Sequence, residues 1–396
     1  MSLTFHWFLP TYGDSRYIVG GGHGIPAGAA GGDRPATLGY LGQIARSAEQ
    51  LGFVGALTPT GAWCEDAWLT TAMLTEVTES LKFLVAFRPG LVSPTLAAQM
   101  AATFQRHSQG RLLLNVVVGG EPHEQRAYGD FLSKDERYAR CDEFLHIVRS
   151  LWRGGPVDFK GRHLQVEAAT IPHLPDPTPP LYFGGSSDAA GPVAARHTDV
   201  YLTWGEPLEP VARKVEWIRK LASAEGRSVR FGIRLHVITR DTAEAAWAEA
   251  QRLLAALDPE SVRKIQAGLA RSESVGQRRM VELHKAGSTD NLVVGPNLWA
   301  GIGLVRGGAG TALVGSHLEV AERIKEYASV GITEFVMSGV PHLEEAYWFG
   351  EGVLPLLERT GLWAHPLGRR GVSAAVDIPF APAATREPPV AAKSAS

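Results

Sequence analysis

Short apolar runs rich in Val, Leu and Phe, without polar alternation, recur along the chain between longer stretches whose apolar positions fall every three or four residues. Runs without alternation are strands buried on both faces, and the wider spacing is that of helices with one buried stripe. The predicted strands are residues 3–9, 54–57, 83–87, 112–118, 181–183, 200–203, 231–238 and 335–338. Helical spacing is carried by Leu96, Met100 and Phe104, by Leu208, Val211, Val215, Ile218 and Leu221, and by Val320, Ile324 and Tyr327. Strands alternating with helices predict a parallel sheet covered by helices, and eight strands point to an α/β TIM (β/α)8 barrel. An open doubly wound sheet is the alternative. No Gly-x-Gly-x-x-Gly follows a strand to favour it, and no Gly-Lys pair exists to build a P-loop.

Three segments break the rhythm. Residues 18–34 follow the first strand and hold too much glycine to keep one shape unaided, so they read as a mobile lid or as slack. Residues 258–315 hold two polar helical stretches and then Pro296-Asn-Leu-Trp-Ala-Gly-Ile-Gly-Leu-Val-Arg-Gly-Gly-Ala-Gly310, an insertion with a mobile loop at the carboxyl face. Residues 1–363 thus read as one barrel, and the Pro/Ala-rich residues 364–396 as a disordered tail or an arm on a partner subunit.

Composition narrows the function. With 396 residues and 45% hydrophobic content the chain can bury a large core. Its 39 basic and 41 acidic residues leave a formal charge of −2, with no basic stripe for nucleic acid and no polybasic membrane patch. The start lacks a charged segment followed by an apolar run, and no stretch approaches a membrane span, so a cytoplasmic location is expected. Cys64 and Cys141 lack Cys-x-x-Cys spacing, which supports neither a disulfide framework nor a metal site.

The candidate chemistry gathers where a parallel barrel places its active site, just beyond the strand ends. Phe231-Gly-Ile-Arg-Leu-His-Val-Ile238 carries Arg234 and His236 two apart, on one side of a buried strand. A guanidinium there is either paired with a carboxylate or kept for an anion from outside. The turn Phe183-Gly-Gly-Ser-Ser-Asp188 leads into a helix near Ala189, so it is either a phosphate site at a helix start or an ordinary Ser/Asp cap. Arg306, flanked by glycines, either swings onto a bound anion or is a solvated loop residue.

These residues are familiar together. The chain resembles the two-component, reduced-flavin-dependent alkanesulfonate monooxygenases of the bacterial luciferase-like superfamily, from Phe8-Leu-Pro-Thr through Pro341-His-Leu-Glu-Glu-Ala-Tyr347. The matching blocks include Cys64-Glu-Asp-Ala-Trp68, Leu181-Tyr-Phe-Gly-Gly-Ser-Ser-Asp188, Tyr201-Leu-Thr-Trp-Gly-Glu-Pro207, the Arg234 strand and the Asn297–Gly315 segment. The resemblance implies a TIM barrel that takes reduced FMN from a separate NAD(P)H-dependent flavin reductase and reacts it with O2. A flavin peroxide then oxygenates the carbon–sulfur unit of an organosulfonate, releasing sulfite and an aldehyde. By resemblance, Trp204, Arg234, His236 and Arg306 line the sulfonate and peroxide pocket, while Cys64, Asn115, Tyr138, Ser186 and Ser187 contact the flavin, the two serines at its phosphate. His236 is expected to handle a proton, as base or hydrogen-bond donor. Cys64 is expected to tune the flavin site and not to act as a nucleophile. Superfamily habit implies a homodimer or homotetramer.

The departures concern the substrate. Tyr12 stands where close members commonly have His, and Val340 where they commonly have Tyr. Loss of a phenol at Val340 predicts a roomier, more apolar wall and a sulfonate bulkier than a short linear one, such as a sulfosugar or an aryl sulfonate. A relative that oxygenates a sulfone or another heteroatom compound, or a non-enzymatic flavin- or F420-binding barrel, remains as an alternative. Retention of Arg234, His236 and Arg306 together argues against the non-enzymatic barrel.

Overall fold

The computed structural model describes residues 2–22, 32–285 and 287–368. Eight parallel strands close a barrel: β1 (Thr4–Phe8), β2 (Gly55–Thr58), β3 (Lys82–Phe87), β4 (Leu112–Val116), β5 (Leu181–Phe183), β6 (Val200–Trp204), β7 (Arg230–Arg240) and β8 (Ile332–Ser338). Each pairs with the next, and β8 returns to β1 through Thr4↔Glu334 and His6↔Val336. All eight predicted strands are present, with bounds shifted by a few residues. The alternation along β1 shows how the core divides. Phe5 and Trp7 face the helices, where Phe5 stacks on Phe335 at 5.3 Å, while His6 and Phe8 face the barrel interior.

The interior is layered. Deep in it, Glu334 accepts from the Tyr182 hydroxyl at 2.6 Å, lies 3.3 Å from His6 Nε2, and pairs with Arg230. Burial opposes ionisation of that carboxyl, but His6 and Arg230 hold it below the usual carboxylate range. An apolar layer of Phe8, Leu57, Leu84, Leu113, Leu202 and Val336 lies within the same interior. Asn115, Trp204 and Arg234 open from the strand ends into a cavity.

The β7 strand is 11 residues long and joins the barrel to an extension of the same sheet. Its first half pairs with β6 and β8, and its second half, from His236 to Arg240, pairs with Ala312–Ser316 in parallel. That extra strand leads outward to Leu298–Trp299 and Val293–Gly295, and it belongs to the insertion, whose helices are Pro259–Leu269 and Val275–Leu283. Neither this strand nor the hairpin of Val157–Lys160 and Gln165–Ala169 was expected from the apolar runs.

One helical stripe is corrected. Leu96 is 46% exposed, and the helix Pro94–Ser108 instead buries Ala97, Ala98, Ala101, Ala102 and Phe104. Small residues let this helix approach its neighbours closely, so leucine spacing misreads its face. Residues 23–31 of the glycine-rich segment and 369–396 of the tail lie outside the described residues. Among the described residues no helix is long and apolar enough to cross a membrane.

Candidate active site

A cavity of about 1350 Å³, open mouth included, lies over the carboxyl ends of the strands, with room for a cofactor and a small substrate. One end is cationic and aromatic. Arg234 sits in register between Trp204 of β6 and Val336 of β8, with its guanidinium carbon 4.1 Å from the centre of the Phe8 ring. Its Nε and Nη2 are buried without hydrogen-bond partners among the described residues. Arg306 is 4% exposed, lies 4.8 Å from the Tyr12 ring centre and 5.8 Å from that of Phe8, and leaves Nε unpartnered. Neither arginine forms an ion pair among the described residues, so neither the structural pair nor the solvated loop arginine describes them. Burial first, then the neighbouring Arg306 charge, pushes Arg234 down to about 9, which leaves it a cation at neutral pH.

The other end is a backbone cradle. The turn after β5 brings Gly184 and Gly185 so close to their surroundings that a Cβ on Gly184 would fall 2.6 Å from the Leu202 carbonyl oxygen, and one on Gly185 3.2 Å from the Tyr138 hydroxyl. The helix Ala190–His197 that follows has no side-chain cap, which sets aside the ordinary Ser/Asp cap. Ser187 Oγ is buried and has no hydrogen-bond partner among the described residues, while Tyr138 packs edge-on against Phe183. Ser186, Ser187, Tyr138 and Asn115 all line the cavity. Lys214 lines it too, its ammonium paired with Glu206 and donating to Thr203 Oγ1 at 3.1 Å.

The family model described as luciferase-like monooxygenase matches residues 3–334. The chain belongs to that family. Solved structures with the same fold include riboflavin lyase (RcaE), determined with modified FMN and riboflavin. It is 21% identical over 92% of this chain and 93% of its own, with a TM-score of 0.75. A long-chain alkane monooxygenase (LadA) is 19% identical over 92% and 93%, with a TM-score of 0.74. DmoA from Hyphomicrobium sulfonivorans is 20% identical over 92% and 89%, with a TM-score of 0.73.

In this luciferase-like monooxygenase the remaining sequence candidates fall unevenly around the cavity. His236 does not face it freely. Its Nε2 lies 3.1 Å from the Ala309 carbonyl, which can only accept, so Nε2 carries the proton, and Nδ1 accepts from the Ser338 hydroxyl at 2.9 Å. Burial, then Arg306 and Arg234, hold His236 well below its ordinary value, so the ring is neutral. Trp204 lines the cavity and packs against Gly276 of the insertion. Cys64 is partly buried near the Pro59–Trp63 wall, and its thiol donates to the Gly61 carbonyl at 3.5 Å. Burial pushes that thiol up to about 12.

Two expectations about the substrate wall change. Val340 packs into an apolar cluster with Ile18, Ile302, Leu304 and Val305, so the insertion fills the space that a lost phenol was expected to open. Tyr12 is buried with its ring 5.1 Å from Trp63 and its hydroxyl without a hydrogen-bond partner among the described residues, and it reaches the cavity through its contact with Arg306.

His342 is the residue the sequence reading passed over. Its Nδ1 donates to Asp14 Oδ1 at 3.0 Å, its backbone N–H to Oδ2 at 2.8 Å, and the Tyr40 hydroxyl donates to the same carboxylate at 2.7 Å. The ring lies 5.6 Å from that of Phe8, and its buried Nε2 has no hydrogen-bond partner among the described residues. The signal was present in Pro341-His342 at the end of β8, but its partner Asp14 is remote in sequence.

The cavity fits a flavin mononucleotide by its own chemistry. The free Ser187 hydroxyl and the glycine turn suit a phosphate, and the unpaired guanidiniums suit anions at the opposite end.

Proposed function

We propose that this luciferase-like monooxygenase uses reduced FMN and O2 to cleave the C–S bond of an organosulfonate, releasing sulfite and an aldehyde. The reduced FMN comes from a separate NAD(P)H-dependent flavin reductase. The observation that carries this reading is the pair Arg234 and Arg306, one partly and one fully buried, without a carboxylate partner among the described residues, facing an aromatic cavity. Buried unpaired cations are costly, and an incoming sulfonate relieves that cost.

Reduced FMN, when bound, supplies the electrons that activate O2. Ser186, Ser187 and Tyr138 would hold its phosphate end, and Asn115 and Cys64 would contribute to the site for its ring. Arg234 and Arg306 bind the sulfonate and stabilise the negative charge that grows as sulfite leaves. His236, neutral and bonded at both nitrogens, holds the loop that carries Arg306 and does not itself move the proton. Phe8, Trp63 and Trp204 exclude water and offer flat apolar contacts, which favours an aryl or other bulky sulfonate over a short linear one.

The test is sulfite release by the purified protein with FMN, NADH, O2 and a generic flavin reductase, across methane-, hexane-, aryl- and sugar sulfonates. Sulfite lost on Arg234→Ala supports the reading. No sulfite from any of them, while reduced FMN still binds, overturns it.

A further inference from the structure

We infer that Glu121 is a flavin-binding residue whose carboxyl contacts the cofactor through Oε1. The inference rests on the FMN reading of the cavity. Glu121 follows Gly119-Gly120 after β4 and lines the cavity wall that includes Asn115, Lys134 and Tyr138. It is 7% exposed, and its Oε1 is buried without a hydrogen-bond partner among the described residues. A buried acceptor left alone is unfavourable, and a ligand entering the cavity is the available remedy.

The backbone that carries Glu121 is wedged in place. A Cβ on Gly119 would fall 2.3 Å from Gln125 Nε2, and one on Gly120 2.7 Å from Ser274 Cβ in the insertion. Glu273 N–H also donates to the Gly120 carbonyl at 2.9 Å. The side chain therefore leaves from a held backbone at the seam between barrel and insertion, a preorganised position for a ligand contact.

The surrounding charges set its protonation. Arg88 pairs with Glu124 at 2.7 Å, and Arg137 lies 3.4 Å from Glu273. Lys134 lines the same wall, and the Ser272 hydroxyl stands beside the carboxyl. Burial, opposed by Ser272 and Arg88 and reinforced by the Glu124 and Glu273 carboxylates, holds Glu121 up to about 7. Below neutrality the acid form would predominate and could donate its O–H to a carbonyl oxygen of the flavin ring or to a ribityl hydroxyl. An ionised carboxylate would repel the anionic reduced ring.

Binding, measured by anaerobic fluorescence titration of FMN and reduced FMN, tests this without turnover. Glu121→Ala is expected to raise the Kd for reduced FMN about five- to tenfold near pH 6.5. Glu121→Gln keeps a donor and an acceptor, so its Kd stays within about twofold of wild type there. The wild-type Kd is expected to rise about fivefold between roughly pH 6 and pH 8.5, over and above the FMN phosphate titration that Glu121→Gln also shows. Thermal melts of both variants check that the fold is retained. Alanine binding as tightly as wild type, or glutamine keeping the full pH dependence, overturns the Glu121 assignment alone. Wild-type protein that binds neither form of FMN overturns the FMN reading with it.

Discussion

Replacing Arg234 with methionine is expected to stabilise the unliganded protein while destroying its activity. Arg234 carries two buried guanidinium nitrogens with no hydrogen-bond partner among the described residues. Burial and then Arg306 depress it from the ordinary guanidinium range to about 9. At about 1.4 kcal/mol per tenfold in proton affinity, holding that charge costs the fold at most about 5 kcal/mol. Partial exposure to the cavity and local relaxation reduce the cost to roughly 2–3 kcal/mol. Methionine keeps apolar contact with Phe8 but forfeits the attraction of a cation 4.1 Å from the ring centre, worth about 0.5–2 kcal/mol. The balance is a gain of about 1 kcal/mol or slightly more. A base whose folded pKa is depressed penalises the fold while charged, so the penalty is complete below about pH 9 and fades as pH rises toward 12. Scanning calorimetry at pH 7 is therefore expected to show a Tm roughly 1–2 °C above wild type. Sulfite release should fall by about 10²-fold or more, since a preorganised donor to the departing anion is gone. A variant that melts below wild type would show that Arg234 holds the fold through a partner, and the reasoning would be refuted.

Three other substitutions probe separate parts of the cavity. Ser187→Ala is expected to weaken FMN about five- to tenfold while leaving riboflavin, which lacks the phosphate, unchanged in a fluorescence titration. His236→Asn should raise the KM for the sulfonate by about tenfold without removing any limb of the pH–rate profile; a lost limb near pH 6.5 would restore His236 as the group that moves the proton. Because burial holds the Cys64 thiol up to about 12, its alkylation by iodoacetamide at pH 8 should run about 10³-fold slower than that of an ordinary exposed thiol. Labelling of Cys64 at the ordinary rate would place a thiolate beside the flavin.

The barrel was legible because its strands are buried on both faces and so appear as uninterrupted apolar runs, from Phe5 and Trp7 of β1 to Phe335 and Met337 of β8. Arg234 was legible for the same reason, since a charge in such a run has to be explained. What escaped depends on contacts between distant segments. Ala312–Ser316 is a short run after many glycines, and it becomes a strand because the projecting end of β7 offers it unpaired backbone groups. Leu96 obeys helical spacing, yet the alanines beside it decide which face packs. The Asp14–His342 contact joins residues 328 apart and exists only because β8 closes on β1. Val340 followed from a comparison of residue types at one position, while the volume there is filled by Ile302, Leu304 and Val305 of the insertion.

The long β7 strand explains how a mobile-looking loop can hold a cation accurately. Arg234 sits where β7 is still a barrel strand, between Trp204 and Val336. Two residues on, His236 marks the point where β7 leaves the barrel and starts to pair with Ala312. There the His236 backbone N–H donates to the Thr311 carbonyl at 2.9 Å, and its ring donates to the Ala309 carbonyl. The loop from Arg306 to Thr311 is thereby tied at its far end to the strand that carries Arg234. At its near end Gly307 N–H donates to the Gly21 carbonyl at 3.1 Å and Gly308 N–H to Gln277 Oε1 at 2.8 Å. Arg306 is thus registered to Arg234 through one strand and two further segments. A sulfonate bridging the two cations would therefore sense the insertion, the glycine-rich segment and the barrel at once. Loosening any of these ties is expected to weaken anion binding before it affects the barrel's stability, because the barrel core packs without them.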